Sequence, residues 1–142
     1  MNGKRLTSVL RVRHLQERAA RGALAASRHA HRTAENAERD TWESLDAHVT
    51  TPMRGEPAGS LQGTRLLVAS GMLAAERQHH ATVAAAQDLI TATDEWTIAA
   101  RRVEGLERLV ERQTIAEREE SVRRSSNEID DLVLIKFATG AT

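Results

Sequence analysis

The residues of this chain best equipped for chemistry are its six histidines and twenty Asp and Glu side chains. Four histidines form two close pairs, His29 with His31 and His79 with His80. Imidazole ligates metals and titrates near neutral pH, so two such pairs at one level would make a metal site or a pH-sensitive layer. At helical spacing, however, all four fall on a flank or an outer face, the usual place of solvated helix histidines. The carboxylates likewise follow solvated helix faces. No phosphate-binding loop, G-x-S-x-G, H-E-x-x-H or EF-hand pattern occurs. With no cysteine in the chain, thiol catalysis and disulfides are excluded. The residues therefore predict no catalytic, metal or cofactor site, and no enzyme.

Charge is the second resource. Lys+Arg and Asp+Glu number 20 each, but they are unevenly spread. Residues 1–32 hold eight basic side chains against Glu17 alone, a net of +7. Such an arm suits nucleic acid or an acidic protein surface. It has no aromatic side chains for base stacking and no recognised DNA-binding motif, which argues against nucleic acid. No run of about 18 apolar residues occurs, so membrane insertion is not expected. The basic N-terminus lacks the apolar core of a secretory signal.

The elements that carry these groups are helices. Aromatics are 2 % of the chain and alanine supplies much of the apolar fraction, which suits long paired helices better than a layered globule. From Thr64 to Gln113 the chain reads in sevens. Val68, Ala75, Thr82, Leu89, Trp96, Val103 and Val110 occupy one position. Thr64, Gly71, Gln78, Ala85, Ala92, Ala99, Leu106 and Gln113 occupy the position four residues earlier. A 3.5-residue repeat keeps a narrow apolar seam on one side of a helix, and that seam needs a partner helix. An earlier stripe opens with Leu6, Val9 and Leu10. It continues through Ala20, Ala23, Ser27, Ala30, Ala34, Ala37, Thr41 and Ser44, with Leu24 and Leu45 beside it.

Between the stripes, Pro52, Gly55, Pro57 and Gly59 break the pattern, and Ser60 is a candidate N-cap. The expectation is an all-α fold, a long antiparallel two-helix coiled-coil hairpin forming a single domain over residues 1–142. Helix 1 spans about 6–48, the loop about 49–60 and helix 2 about 61–136. With the turn centred near residues 54–55, facing residues have numbers adding to about 109. Arg13 then meets Trp96, Trp42 meets Leu67, and His29 and His31 lie level with His79 and His80. Helix 1 is used up near residue 105, so residues 106–137 project. Past Val110 the seam changes phase to Ile115, Val122 and Ile129, and a dense apolar run follows at 132–137. The expected partner-binding residues are Arg118, Val122, Arg123, Arg124, Ile129, Asp130, Asp131, Leu132, Val133 and Phe137.

This layout resembles the flagellar export protein FliJ family, the small coiled-coil component of the flagellar type III export apparatus. The likeness is greatest in Val103-Glu104-Gly105-Leu106-Glu107-Arg108-Leu109-Val110-Glu111-Arg112, then Ile115-Ala116-Glu117-Arg118-Glu119-Glu120 and Asn127-Glu128-Ile129-Asp130-Asp131. The resemblance implies a non-enzymatic stalk or adaptor, cytoplasmic and peripheral to the inner membrane. It implies three partners: the export ATPase hexamer, the membrane export gate and export chaperones. Self-association through the apolar strip, a generic coiled-coil scaffold, a small secreted helical hairpin and a basic-arm nucleic-acid binder are the competing readings.

Overall fold

A computed structural model describes residues 3–50 and 58–140, with side chains for 5–50 and 61–140. Two helices account for all of them except Gly140: α1, Gly3–Thr50, and α2, Ala58–Thr139. They pack against each other as an all-α helical hairpin, with no strand among the described residues. The expected break at Pro52, Gly55 and Pro57 lies outside the described residues. Ser60 is inside α2 and not at its N-cap, because the helix begins two residues earlier. No helix of the described residues is long and apolar enough to cross a membrane.

Contacts divide the chain into two units, residues 18–98 and residues 1–17 with 99–142. Within each, a strip of α1 is laid against a strip of α2. Every α2 residue assigned to the heptad seam, from Thr64 to Gln113, is buried or half-buried. Ala75, Ala92 and Val103 are buried outright. A proline-free heptad six repeats long admits one face only, and burying that face drives the pairing.

On α1 the covered positions are Leu6, Leu10, Arg13, Glu17, Ala20, Leu24, Ser27, His31, Ala34, Glu38, Thr41 and Leu45, spaced four and three alternately. Ala37, beside Glu38, is also half-buried. The expected seam was partly out of phase: Val9, Ala23, Ala30 and Ser44 are exposed, and their neighbours face α2 instead. Burying a leucine contributes roughly 1.5–3 kcal/mol, far more than an alanine methyl, so Leu24 and Leu45 turn the helix onto their own side. That rotation carries His31 and Glu38 toward the seam with them.

The hydroxyls in this strip do not go unpaired. Thr41 donates to the Ala37 carbonyl at 2.7 Å and Thr93 to that of Leu89 at 2.7 Å, while the Thr82 hydroxyl, 3.0 Å from the Gln78 carbonyl, shares its one proton between that oxygen and Glu38. This i−4 bonding lets threonine line a partly dry helix face.

The pairing offset differs from expectation. In the 18–98 unit, Leu45 lies on Gly71 and Glu38 meets His79, pairs whose numbers add to 116 and 117. In the other unit, His14 meets Glu107, adding to 121. The expected value of about 109 assumed that both helices start equally close to the turn. Instead, Thr50 ends α1 opposite about residues 66–67, and the first turns of α2 lie past that level. Leu61 there is exposed. Trp96 is accordingly level with residues 20–21 in its own unit. Arg13 bonds within α1, donating to Gln16 Oε1 at 2.9 Å. Trp42 bonds Glu38 and is level with residues 74–75, past Leu67.

Two glycines of α2 test this packing. A Cβ on Gly71 would stand 2.9 Å from Leu45 Cδ1, whereas one on Gly105 would meet open space. Glycine inside a helix costs about 1 kcal/mol relative to alanine. Gly105→Ala is expected to stabilise the protein by up to about that amount in urea unfolding. Gly71→Ala is expected to gain clearly less, because Leu45 must move. Equal gains at the two sites would contradict the close approach of α1 and α2 at Gly71.

Candidate interaction surface

The polar groups that the structure does bring together are not the four histidines. His79 Nδ1 donates to Glu38 Oε1 at 2.9 Å. The Thr82 hydroxyl and the Trp42 indole also bond this carboxylate. His31 lies on α1 with Nδ1 3.6 Å from Glu35. His80 has its ring 6.3 Å from that of His79. The shifted offset places His79 at the level of Glu38, so His29 and His31 do not share a layer with His79 and His80. Among the described residues no three His, Asp or Glu side chains are placed to hold a metal ion.

The cluster around Glu38 is a structural feature at the seam. The Glu38 side chain is only 20 % exposed, and its bonds from Thr82 first, then His79, hold its pKa below the ordinary carboxyl value of 4.5. A depressed carboxyl pKa means stability that is present above the ordinary value and lost as pH falls through the depressed one.

The second feature is the free end of α2. Leu106, Val110 and Gln113 are half-buried, and all residues from Thr114 to Gly140 are exposed. Leu6, Thr7, Ser8 and Arg11 of α1 line an open cleft with Val110, Gln113, Thr114 and Glu117. The uncovered segment therefore begins near residue 114 and not at 106, a correction that follows from the larger offset. All ten expected partner-binding residues lie beyond that point. Val122 is 69 % exposed and Phe137 76 %. Gly140 closes the helix, donating its backbone N–H to Lys136 O at 3.1 Å.

At 100° per residue, Ile115, Val122, Ile129, Leu132 and Val133 share one face. Phe137, four residues past Val133, extends that stripe, whereas Leu134 and Ile135 leave it and make the last turns apolar on several sides. Arg123 and Asp130 sit together on one flank, and Arg124 and Asp131 on the back. Arg124 pairs with Glu120 at 2.9 Å, a fully solvated contact that contributes little stability. This stretch holds no enclosed pocket or converging donors, only a long apolar stripe with mixed charge beside it. Its chemical competence is for docking another protein.

The Glu38 cluster carries a pH prediction. Glu38→Gln is expected to be less stable than the parent protein at neutral pH. The gap between them should begin to close as pH falls below 4.5, the ordinary value, and vanish below the depressed one, where the folded carboxylate takes up its proton. Thermal melts across that range check it; a gap independent of pH would contradict the role given to the carboxylate.

The comparisons with known proteins bear on this architecture as a whole. No curated protein and no solved structure matches the chain. The family described as flagellar FliJ protein matches residues 1–142, the full sequence. Two antiparallel helices with a seam between them and one uncovered end are what that match spans, and the chain belongs to the flagellar FliJ protein family, as a coiled-coil protein related to flagellar export.

Proposed function

We propose that the protein is a non-enzymatic stalk or adaptor of the flagellar export apparatus, and that the uncovered end of α2 is its docking segment. The observation that carries this reading is the run of exposed residues from Thr114 to Gly140. Along it, Val122, Ile129, Leu132, Leu134, Ile135 and Phe137 are each at least 59 % exposed. A helix that presents large apolar side chains to water over several turns gains roughly 1.5–3 kcal/mol for each one buried against a partner. Family membership points to the export machinery as the place where the partner is found.

The first partner proposed is the export ATPase hexamer. Val122, Ile129, Leu132, Val133 and Phe137 would supply apolar contact, and Arg118, Arg123, Arg124, Asp130 and Asp131 orientation. From Arg118 to Thr139 the helix is about 33 Å long, enough to enter a ring-shaped assembly. The export gate and export chaperones are further partners in this reading, with the protein working in the cytoplasm beside the inner membrane.

The test is binding to the purified export ATPase by calorimetry. Val122→Asp/Ile129→Asp is expected to weaken binding at least tenfold while leaving the melting temperature unchanged, because neither side chain touches α1. Deletion of residues 118–142 is expected to abolish binding. A truncated protein that keeps its binding and merely melts earlier would overturn the proposal. Loss of a dimer on truncation, with ATPase binding intact, would assign the segment to self-association.

A further inference from the structure

A second surface lies on the side of the 18–98 unit. A two-helix coil needs two apolar positions in seven, whereas helices inside bundles of three or more show a broader face. Between Thr82 and Thr97, α2 has that broader face. Each seam residue is followed by another uncharged one: Thr82 by Val83, Ala85 by Ala86, Leu89 by Ile90, Ala92 by Thr93, and Trp96 by Thr97. α1 covers this second row incompletely. Ala86, Thr93 and Thr97 are half-buried, but Val83 is 54 % exposed and Ile90 55 %.

The residues that follow seam positions on α1 share this side. In an antiparallel pair, one step past the seam turns both helices toward the same side, by about 100° each. His79 and Trp42, each one step past a seam residue, accordingly both meet at Glu38. At the levels of Val83 to Thr97, the α1 residues on this side are Glu35, Arg32, Arg28, Ala25 and Arg21. Glu35 is engaged by His31. Arg28 and Arg32 stand exposed, with no ion pair among the described residues, and Ala25 leaves the groove open between Arg28 and Arg21. On α2, Asp88 and Glu95 precede seam residues and fall on the other side, whereas Asp94, four residues past Ile90, borders the row on its outer edge.

We propose that this groove, floored by Val83 and Ile90 and edged by Arg28 and Arg32, takes an acidic amphipathic helix of a partner protein as a third helix. The row from Val83 to Thr97 is about 21 Å long, four turns of such a helix. Aliphatic side chains on the incoming helix cover Val83 and Ile90. Its flanking Glu or Asp residues meet the two guanidinium groups, which bind carboxylates through paired N–H donors. The surface is separate from the uncovered α2 end and does not depend on it.

The experiment uses the full chain and two labelled 21-residue designed helices, read by fluorescence anisotropy. Both carry a Leu/Ala stripe; one has Glu on its flanks and the other Lys. The Glu helix is expected to bind at least tenfold more tightly than the Lys helix, and less tightly as salt rises. Arg28→Glu/Arg32→Glu is expected to reverse that preference. Ile90→Asp and Val83→Asp are each expected to abolish binding of the Glu helix without lowering the melting temperature, since both side chains are half in water. Ile129→Asp is expected to change nothing. No binding of the Glu helix, equal binding of both helices, or binding that survives Ile90→Asp would overturn the proposal. So would a dimer dissolved by Ile90→Asp, because the occupant would then be a second copy of the chain.

Discussion

Burial of one narrow strip between two helices is the constraint on which the rest of this structure depends. Among the described residues only Leu6, Leu24, Ala75, Ala92 and Val103 are buried, and two of these are alanines. Such a seam supplies limited hydrophobic free energy and would by itself tolerate sliding, since one alanine against another looks much like the next. Features of size and charge oppose that sliding. Leu45 seats on the bare backbone of Gly71, where a methyl group would crowd it. Seven residues earlier on α1, Glu38 is bonded by Thr82, His79 and Trp42. A slip of one heptad would leave that carboxylate facing other groups, with its desolvation uncompensated.

The offset fixed in this way decides what remains free for binding. With facing residues adding to about 117 in the 18–98 unit, α1 ends before it reaches the first turns of α2. In the terminal unit, α1 gives out near Glu117. The free end of α2 therefore results from pairing register, and the side groove from the width of the α2 apolar face. Neither feature requires a fold beyond two helices. The polar residues that looked most like chemistry, the histidines, take part in pairing and solvation.

The α2 seam was fully legible, because Val, Leu, Trp and Ala recur at a strict seven-residue spacing over a stretch free of proline. The α1 seam was legible only by half. Alanines at Ala19, Ala20, Ala23, Ala25, Ala26 and Ala30 make several phases equally apolar, and only Leu24 and Leu45 distinguish among them. Neither the burial of Glu38 nor the place of His31 could be found while the phase was read from alanine. The offset was out of reach for a different reason: symmetric placement about the turn is a default, and nothing local encodes how far α2 runs past the end of α1. The exposure of Val122, Ile129 and Leu132 was legible because they keep helical spacing after the seam has run out of partner. The side groove has its own signal in the second uncharged row, Val83, Ala86, Ile90, Thr93 and Thr97.

The pairing register is the claim on which all else rests, and the absence of cysteine makes it directly measurable. Leu24→Cys with Ala92→Cys lies three heptads along the seam from the Leu45–Gly71 contact. Leu24→Cys with Ala85→Cys is the pair that an offset of about 109 would bring together, roughly 10 Å away along the helix axis. A disulfide needs Cα atoms within about 7 Å. Oxidation of the purified double variants is expected to cross-link the first pair within one chain and leave the second reduced. Cross-linking of the second pair in preference to the first would contradict the register, and with it the boundary of the free end.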